Sequence, residues 1–303
     1  MVVDSLLPVL TLILAGRLLK HFGLTNEAFL RTSDRLIYFM FFPALLFWKI
    51  GGAVPDAETD WGLYAAAASA VIVVYLLSTG YIVRFGVSDY QAGSFSQSCY
   101  RFNTYIGVAV LWSAHGEAGI RQFGLLIALL IPLINLLAVS TLIWFSGKSI
   151  AWRSRLTMMI KALISNPLIL ACISGIVYAR LVNGFPAFVD NTFRLSSQVA
   201  LPLALLSIGS VLTTTKVGHH LKLSLIAAGF KLLVLPVVGF LGLKAFHVSG
   251  VPFKVGMVFF TLPTSTALYV LSAQLNSDTD LASASIALST MLSFLPLCAA
   301  LWM

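Results

Sequence analysis

Long apolar runs alternate with short polar connectors along the whole chain. Ten runs, each about 20 residues long, the length that crosses a bilayer as a helix, lie at 3–20, 34–52, 62–84, 90–114, 119–146, 157–182, 190–213, 222–246, 250–275 and 279–302. Runs of this length predict membrane-crossing helices. No connector has the composition of a folded aqueous domain or a long linker, so residues 1–303 are expected to form a single transmembrane domain. The first run has no basic residue before it, and Arg17 and Lys20 follow it. That is the wrong polarity for a cleaved signal peptide, so it is expected to stay as the first span.

The pattern also repeats. Arg35-Leu36, six residues and Pro43, then Ala44-Leu45-Leu46 and Gly51, are matched by Arg194-Leu195, six residues and Pro202, then Leu203-Ala204-Leu205-Leu206 and Gly209. The offset is 159 residues for the arginine, leucine and proline and 158 for the glycine, and Pro8 with Pro167 and Gly16 with Gly175 also stand 159 apart. Common apolar residues match by chance, whereas prolines and glycines seldom keep one offset over two spans. Two five-span halves follow, 1–150 and 157–303. Five is odd, so the second half enters the membrane upside down. Inverted halves are characteristic of secondary transporters, with the binding site near mid-membrane at their interface. The expected fold is an all-α integral membrane protein of ten transmembrane helices in two inverted five-helix repeats.

Composition agrees with lipid as the solvent: 59% of residues are hydrophobic and only 10% charged, against about 25% charged in ordinary soluble chains. The net charge of +8 therefore says little about nucleic acid, and no nucleic-acid partner is expected. Basic residues beside spans set orientation instead. With the N-terminus outside, the inner connectors hold eleven of them, including Arg17, Lys20, Arg31, Arg35, Lys148, Arg153, Arg155 and Lys216; the outer ones hold six. The acidic stretch Asp56-Ala57-Glu58-Thr59-Asp60 then falls outside. Both termini are expected outside. Cys99, Cys172 and Cys298 lie in apolar runs without metal-ligand spacing, which suggests neither a disulfide framework nor a zinc site.

Polar groups inside the runs mark the candidate chemistry. The fourth run is interrupted at its centre by Cys99-Tyr100-Arg101-Phe102-Asn103-Thr104-Tyr105-Ile106-Gly107. An arginine at mid-membrane costs about 2.5–3.5 kcal/mol even on the lenient insertion scale, and such a group is a functional candidate by default. Asn103, Thr104 and Gly107 compete with helix or relax it. The ninth run reads Thr261-Leu262-Pro263-Thr264-Ser265-Thr266. Pro263 removes an amide donor, and the hydroxyls beside it can satisfy the freed backbone groups. Asn103 pairs with Pro263 at the repeat offset plus one. If helices 4 and 9 are both broken there, they can cross, with two half-helix N-termini aiming partial positive charge at one point. Such a site suits a carboxylate. Arg101, Asn103, Thr104, Pro263, Thr264 and Ser265 are the candidate substrate-binding residues. Gly107, Lys231 and Gln198 are assigned structural roles around the crossover. Lys231 could bond freed carbonyls, replace a coupling cation, or extend to the interface. Gln198, Asn135 and Gln274 read as amides that bond between helices. The remaining prolines, Pro8, Pro43, Pro132, Pro167, Pro202, Pro236 and Pro296, read as packing kinks. His219 and His220 read as solvated loop residues.

The sequence resembles the auxin efflux carrier family, which includes plant PIN-formed carriers and bacterial dicarboxylate transporters. The resemblance covers nearly the whole chain. Its most specific pieces are Arg101 to Gly107, Ser165-Asn166-Pro167-Leu168-Ile169, Leu201 to Gly209, and Pro263 through Tyr269-Val270-Leu271 to Gln274. It implies the ten-span inverted-repeat fold with broken, crossing helices 4 and 9, an elevator-like motion, a homodimer, and a place in the bacterial inner membrane. It also implies substrate contact by the asparagine of the fourth-span break, here Asn103. One departure is Ala109, where the family often has proline; it implies a softer break or one closer to Asn103.

Three function classes follow. The first is a secondary carrier of organic anions or weak acids, such as dicarboxylates or auxin-like carboxylates. The second is a channel or sensor with a transporter-like body. The third, an intramembrane enzyme, finds no His-Glu-x-x-His, no Gly-x-Ser-x-Gly elbow and no phosphate-cradling loop, and the acidic residues lie in or beside loops. No cofactor or metal is expected. The coupling ion, sodium or proton, stays open. The expected partners are a small organic anion and the lipid bilayer.

Overall fold

The computed structural model describes residues 2–52, 60–145, 157, 160–161, 164–182, 184–211 and 217–303; positions 2–5, 27, 31, 211, 217–219 and 274 are described by backbone alone. The acidic stretch 56–59 and the basic connector residues Lys148, Arg153, Arg155 and Lys216 lie outside the described residues, as do the side chains of Arg31, His219 and Gln274.

The protein is all-helical, with no strand among the described residues. In chain order the helices are α1 (Val2–His21), α2 (Glu27–Leu36), α3 (Phe42–Gly51), α4 (Trp61–Phe85), α5 (Asp89–Tyr100), α6 (Thr104–Phe145) and α7 (Pro167–Leu181). Then come α8 (Ala187–Val211), α9 (Val217–Gly229), α10 (Leu235–Ala245), α11 (Gly250–Thr261), α12 (Ala267–Gln274), α13 (Thr279–Leu292) and α14 (Phe294–Trp302). The stretches 61–85, 89–145 and 220–245 are long and apolar enough to cross a membrane, and α13 with α14 qualifies as one span bent by 43°. Large apolar side chains lie exposed on many helices, Leu76, Val83, Trp144, Leu181, Leu233 and Trp302 among them, which is expected where lipid is the solvent.

Local sequence explains the helix ends. Asp60 caps α4 by accepting the Leu63 N–H at 3.2 Å. Asn166 caps α7, its Oδ1 accepting from Leu168 at 3.0 Å and Ile169 at 3.3 Å. Pro167 is therefore the first residue of a helix, where its missing N–H costs nothing, and not the packing kink expected of it. Gly116, at φ 58° and ψ −144°, turns α6 sharply between the fourth and fifth apolar runs; that backbone region suits glycine. Pro43 and Pro236 each follow a π turn, Ile37–Phe41 and Phe230–Val234. A proline ring clashes with the carbonyl four residues earlier, and a wider turn relieves that clash. These two prolines thus accompany a one-residue bulge and not a simple kink.

By contact the chain divides into two bodies. The first comprises Met1–Thr59, Val108–Leu129 and Leu163–Val211; the second comprises Asp60–Gly107, Leu130–Ala162 and Leu212–Met303. In the first body α1 packs on α8 and α3 on α7. The α1–α8 contact is backbone on backbone: a Cβ added to Gly209 would overlap the Ile13 carbonyl oxygen, and one added to Gly16 would overlap that of Leu206. Small residues at helix crossings in lipid permit this approach. Asp34 lies within α2, not beside a loop, and accepts the Ser207 hydroxyl at 2.5 Å. In the second body α4 packs on α10 and α9 on α13, with α5 and α11 among them.

Candidate functional site

The second body contains two interrupted helices whose breaks touch. α5 stops at Tyr100, residues 101–103 lie outside any helix, with Arg101 extended, and α6 starts at Thr104. α11 stops at Thr261, and α12 starts at Ala267. The Asn103 N–H donates to the Pro263 carbonyl at 2.8 Å. The Thr264 hydroxyl donates to the Ser98 carbonyl at 2.9 Å, and the Thr264 N–H donates to Ser289 Oγ at 3.1 Å. Each break thus finds partners in the other span or in α13, as buried backbone groups must.

The break in the fourth run is made by Asn103. Its Oδ1 accepts from Tyr105 at 3.1 Å and Ile106 at 3.2 Å, which makes it the cap of α6. Gly107 lies in the first turn, its N–H bonded to the Asn103 carbonyl at 3.0 Å. Ala109 is helical and buried. The interruption lies at Arg101–Asn103 itself. Asn103 is 1% exposed, and its Nδ2 has no hydrogen-bond partner among the described residues. On the other side Ser265 Oγ accepts from the N–H of Ala267, the first residue of α12, at 3.2 Å.

Arg101 is buried at 8% exposure. Nη1 donates to Gln97 Oε1 at 2.7 Å and Nη2 to Asn135 Oδ1 at 2.8 Å. These two amides are neutral; they orient the guanidinium and do not cancel its charge. The second body thus contains a buried cation, a buried amide donor and the N-terminal ends of α6 and α12, groups of the kind that favour an anion.

Of the sequence candidates, Arg101, Asn103, Pro263 and Thr264 are buried in the second body, and Thr104 and Ser265 are half-buried there. Thr264 spends its hydroxyl and N–H on structural bonds. Lys231 is in the same body, wholly buried, and its Nζ donates to the Phe260 carbonyl at 3.3 Å. Gln198 is on an exposed face of α8, in the first body. Sequence reasoning did not single out Gln97, Ser98 or Ser289. A signal was present for the first two: Gln91 to Ser98 holds five polar residues inside an apolar run, and Gln97 is one helical turn before Arg101.

A second polar cluster lies in this body. Asp278, 5% exposed, caps α13 by accepting from Asp280 at 3.0 Å and Leu281 at 2.9 Å, and also accepts from Gln91 Nε2 at 3.3 Å. His220 Nδ1 lies 3.9 Å from Asp278 Oδ2. His220 is thus a partly buried helical residue, not the solvated loop residue expected. Asp278→Ala is expected to cost about 0.5–2 kcal/mol of stability, the range for a lost N-cap, while Asp278→Asn keeps most of it. Melting of the two purified variants in detergent checks the ranking.

Comparison with known proteins completes the picture. The family model described as "Membrane transport protein" matches residues 1–303. An uncharacterized transporter of Methanocaldococcus jannaschii is 22% identical over 306 residues, covering 99% of this chain and 97% of its own. An uncharacterized transporter of Methanothermobacter thermautotrophicus is 24% identical over 304 residues, covering 97% and 95%. The full-length match means that the chain belongs to the membrane transport protein family, the auxin efflux carrier type.

Proposed function

We propose that the protein is a secondary carrier of organic anions or weak acids, working by alternating access. The observation that carries this is the bond between the two breaks, Asn103 N–H to the Pro263 carbonyl at 2.8 Å, beside an Asn103 amide nitrogen buried without a partner among the described residues. A substrate carboxylate accepts from Asn103 Nδ2, meets the Arg101 guanidinium and lies at the N-terminal ends of α6 and α12. Its apolar part rests against neighbouring aromatic or aliphatic side chains. The body that holds the crossover is the part that travels, in an elevator-like motion. Ten spans in two inverted halves, both termini outside and a place in the plasma membrane complete the proposal; the 159-residue offset and the distribution of basic residues support it.

The test has two stages. A thermal-shift screen of dicarboxylates and aromatic acids on the purified protein finds a stabilising solute. Proteoliposomes then measure its flux, which is expected to saturate and to accelerate when the same solute is loaded on the far side. Linear flux without saturation or counterflow would instead identify a channel. Asn103→Ala is expected to lose the stabilisation by that solute while the protein still inserts.

A further inference from the structure

Lys231 has no part in binding the anion, yet it is among the largest wholly buried side chains, at 0% exposure. It lies in the π turn Phe230–Val234, and the bulge ends just before Pro236. A π turn is a local departure from helix that recurs at functional positions. The lysine Nζ donates to the Phe260 carbonyl at 3.3 Å. Phe260 is in the last turn of α11, where the helix stops at Thr261.

The carbonyls of a last turn lack amide partners within their helix and carry its negative end. At α11 the neighbouring ones are satisfied locally. The Thr261 hydroxyl donates to the Met257 and Val258 carbonyls at 3.0 and 2.9 Å, and the Leu262 N–H to that of Phe259 at 3.3 Å. The Phe260 carbonyl takes the ammonium. In carriers with interrupted helices, freed carbonyls and half-helix C-terminal ends are where a coupling cation binds.

We propose that Lys231 is a resident replacement for a coupling cation: its ammonium holds the carbonyl end of α11, and the protein needs no bound sodium ion there. The proposal rests on the crossover serving transport, but its test does not involve the organic solute, so the two can fail separately. The full chain is purified in detergent and melted in sodium chloride, choline chloride or methylammonium chloride. Wild type is expected to melt at one temperature in all three. Lys231→Ala in choline is expected to melt roughly 5 °C lower, the scale of one lost buried polar contact, and to regain much of that in sodium or methylammonium, saturably. Lys231→Arg keeps a cation in place, and its melting is expected to be indifferent to sodium. Saturable stabilisation of wild type or Lys231→Arg by sodium overturns the proposal. So does a Lys231→Ala protein as stable as wild type in choline, or one restored by neither cation. If Lys231→Ala does not survive extraction, the wild-type and Lys231→Arg melts decide by the same criterion.

Discussion

Proteoliposomes carrying Arg101→Ala, assayed at substrate far below saturation, take up a carboxylate roughly 30-fold to several thousand-fold more slowly than wild type. The range follows from truncating one side of a buried charged contact, about 2–5 kcal/mol, at one decade per 1.4 kcal/mol. Lost stability alone is separated by Arg101→Lys. That change keeps the charge but not the planar fork that spans Gln97 Oε1 at 2.7 Å and Asn135 Oδ1 at 2.8 Å. It is expected to fold and still to transport poorly. Near-normal uptake by Arg101→Ala would remove the guanidinium from the site.

The second large effect is on folding. Gly209→Val is expected to destabilise the first body by about 3 kcal/mol or more, the upper end of overpacking, because the added carbons meet the Ile13 backbone and not a side chain that can turn away. Little monodisperse protein should survive detergent extraction, as size-exclusion chromatography would report. Gly80→Ala is the matched control. Nothing lies within 4 Å of a Cβ there, and it is expected to melt at or slightly above wild type, since alanine favours helix by about 1 kcal/mol over glycine. A Gly209→Val protein as stable as that control would mean the α1–α8 contact is dispensable.

Two positions at the crossover are legible in the sequence for a physical reason. Arg101 stands out because a guanidinium in an apolar run needs an explanation, and Pro263 because a proline in a helix removes a donor. What Arg101 touches was not legible in the same way. Asn135 is 34 residues away, and only folding brings it near. The break at Asn103 was weaker in sequence than that at Pro263, since an asparagine interrupts a helix only when its side chain finds the next turn's amides, as Oδ1 does here with Tyr105 and Ile106. His220 looked like a loop residue because its neighbourhood is polar. Its partner Asp278 is 58 positions on, beyond any local pattern. Pro167 was misjudged for a related reason: without knowing that Asn166 caps a helix, a proline in an apolar run looks like a kink. The π turns before Pro43 and Pro236 have no local sequence mark apart from the proline.

The bare-backbone clasp between α1 and α8 bears on how the protein is made. Gly16 and Leu206 are about 190 residues apart along the chain. At cellular rates of roughly 5–20 residues per second, α8 leaves the ribosome some 10–40 s after α1. Throughout that interval the first helix stands in the bilayer with its glycine notch facing lipid, and any other small-residue helix drifting past is a competitor. Assembly of the first body therefore depends on what keeps α1 waiting while the rest of the message is read.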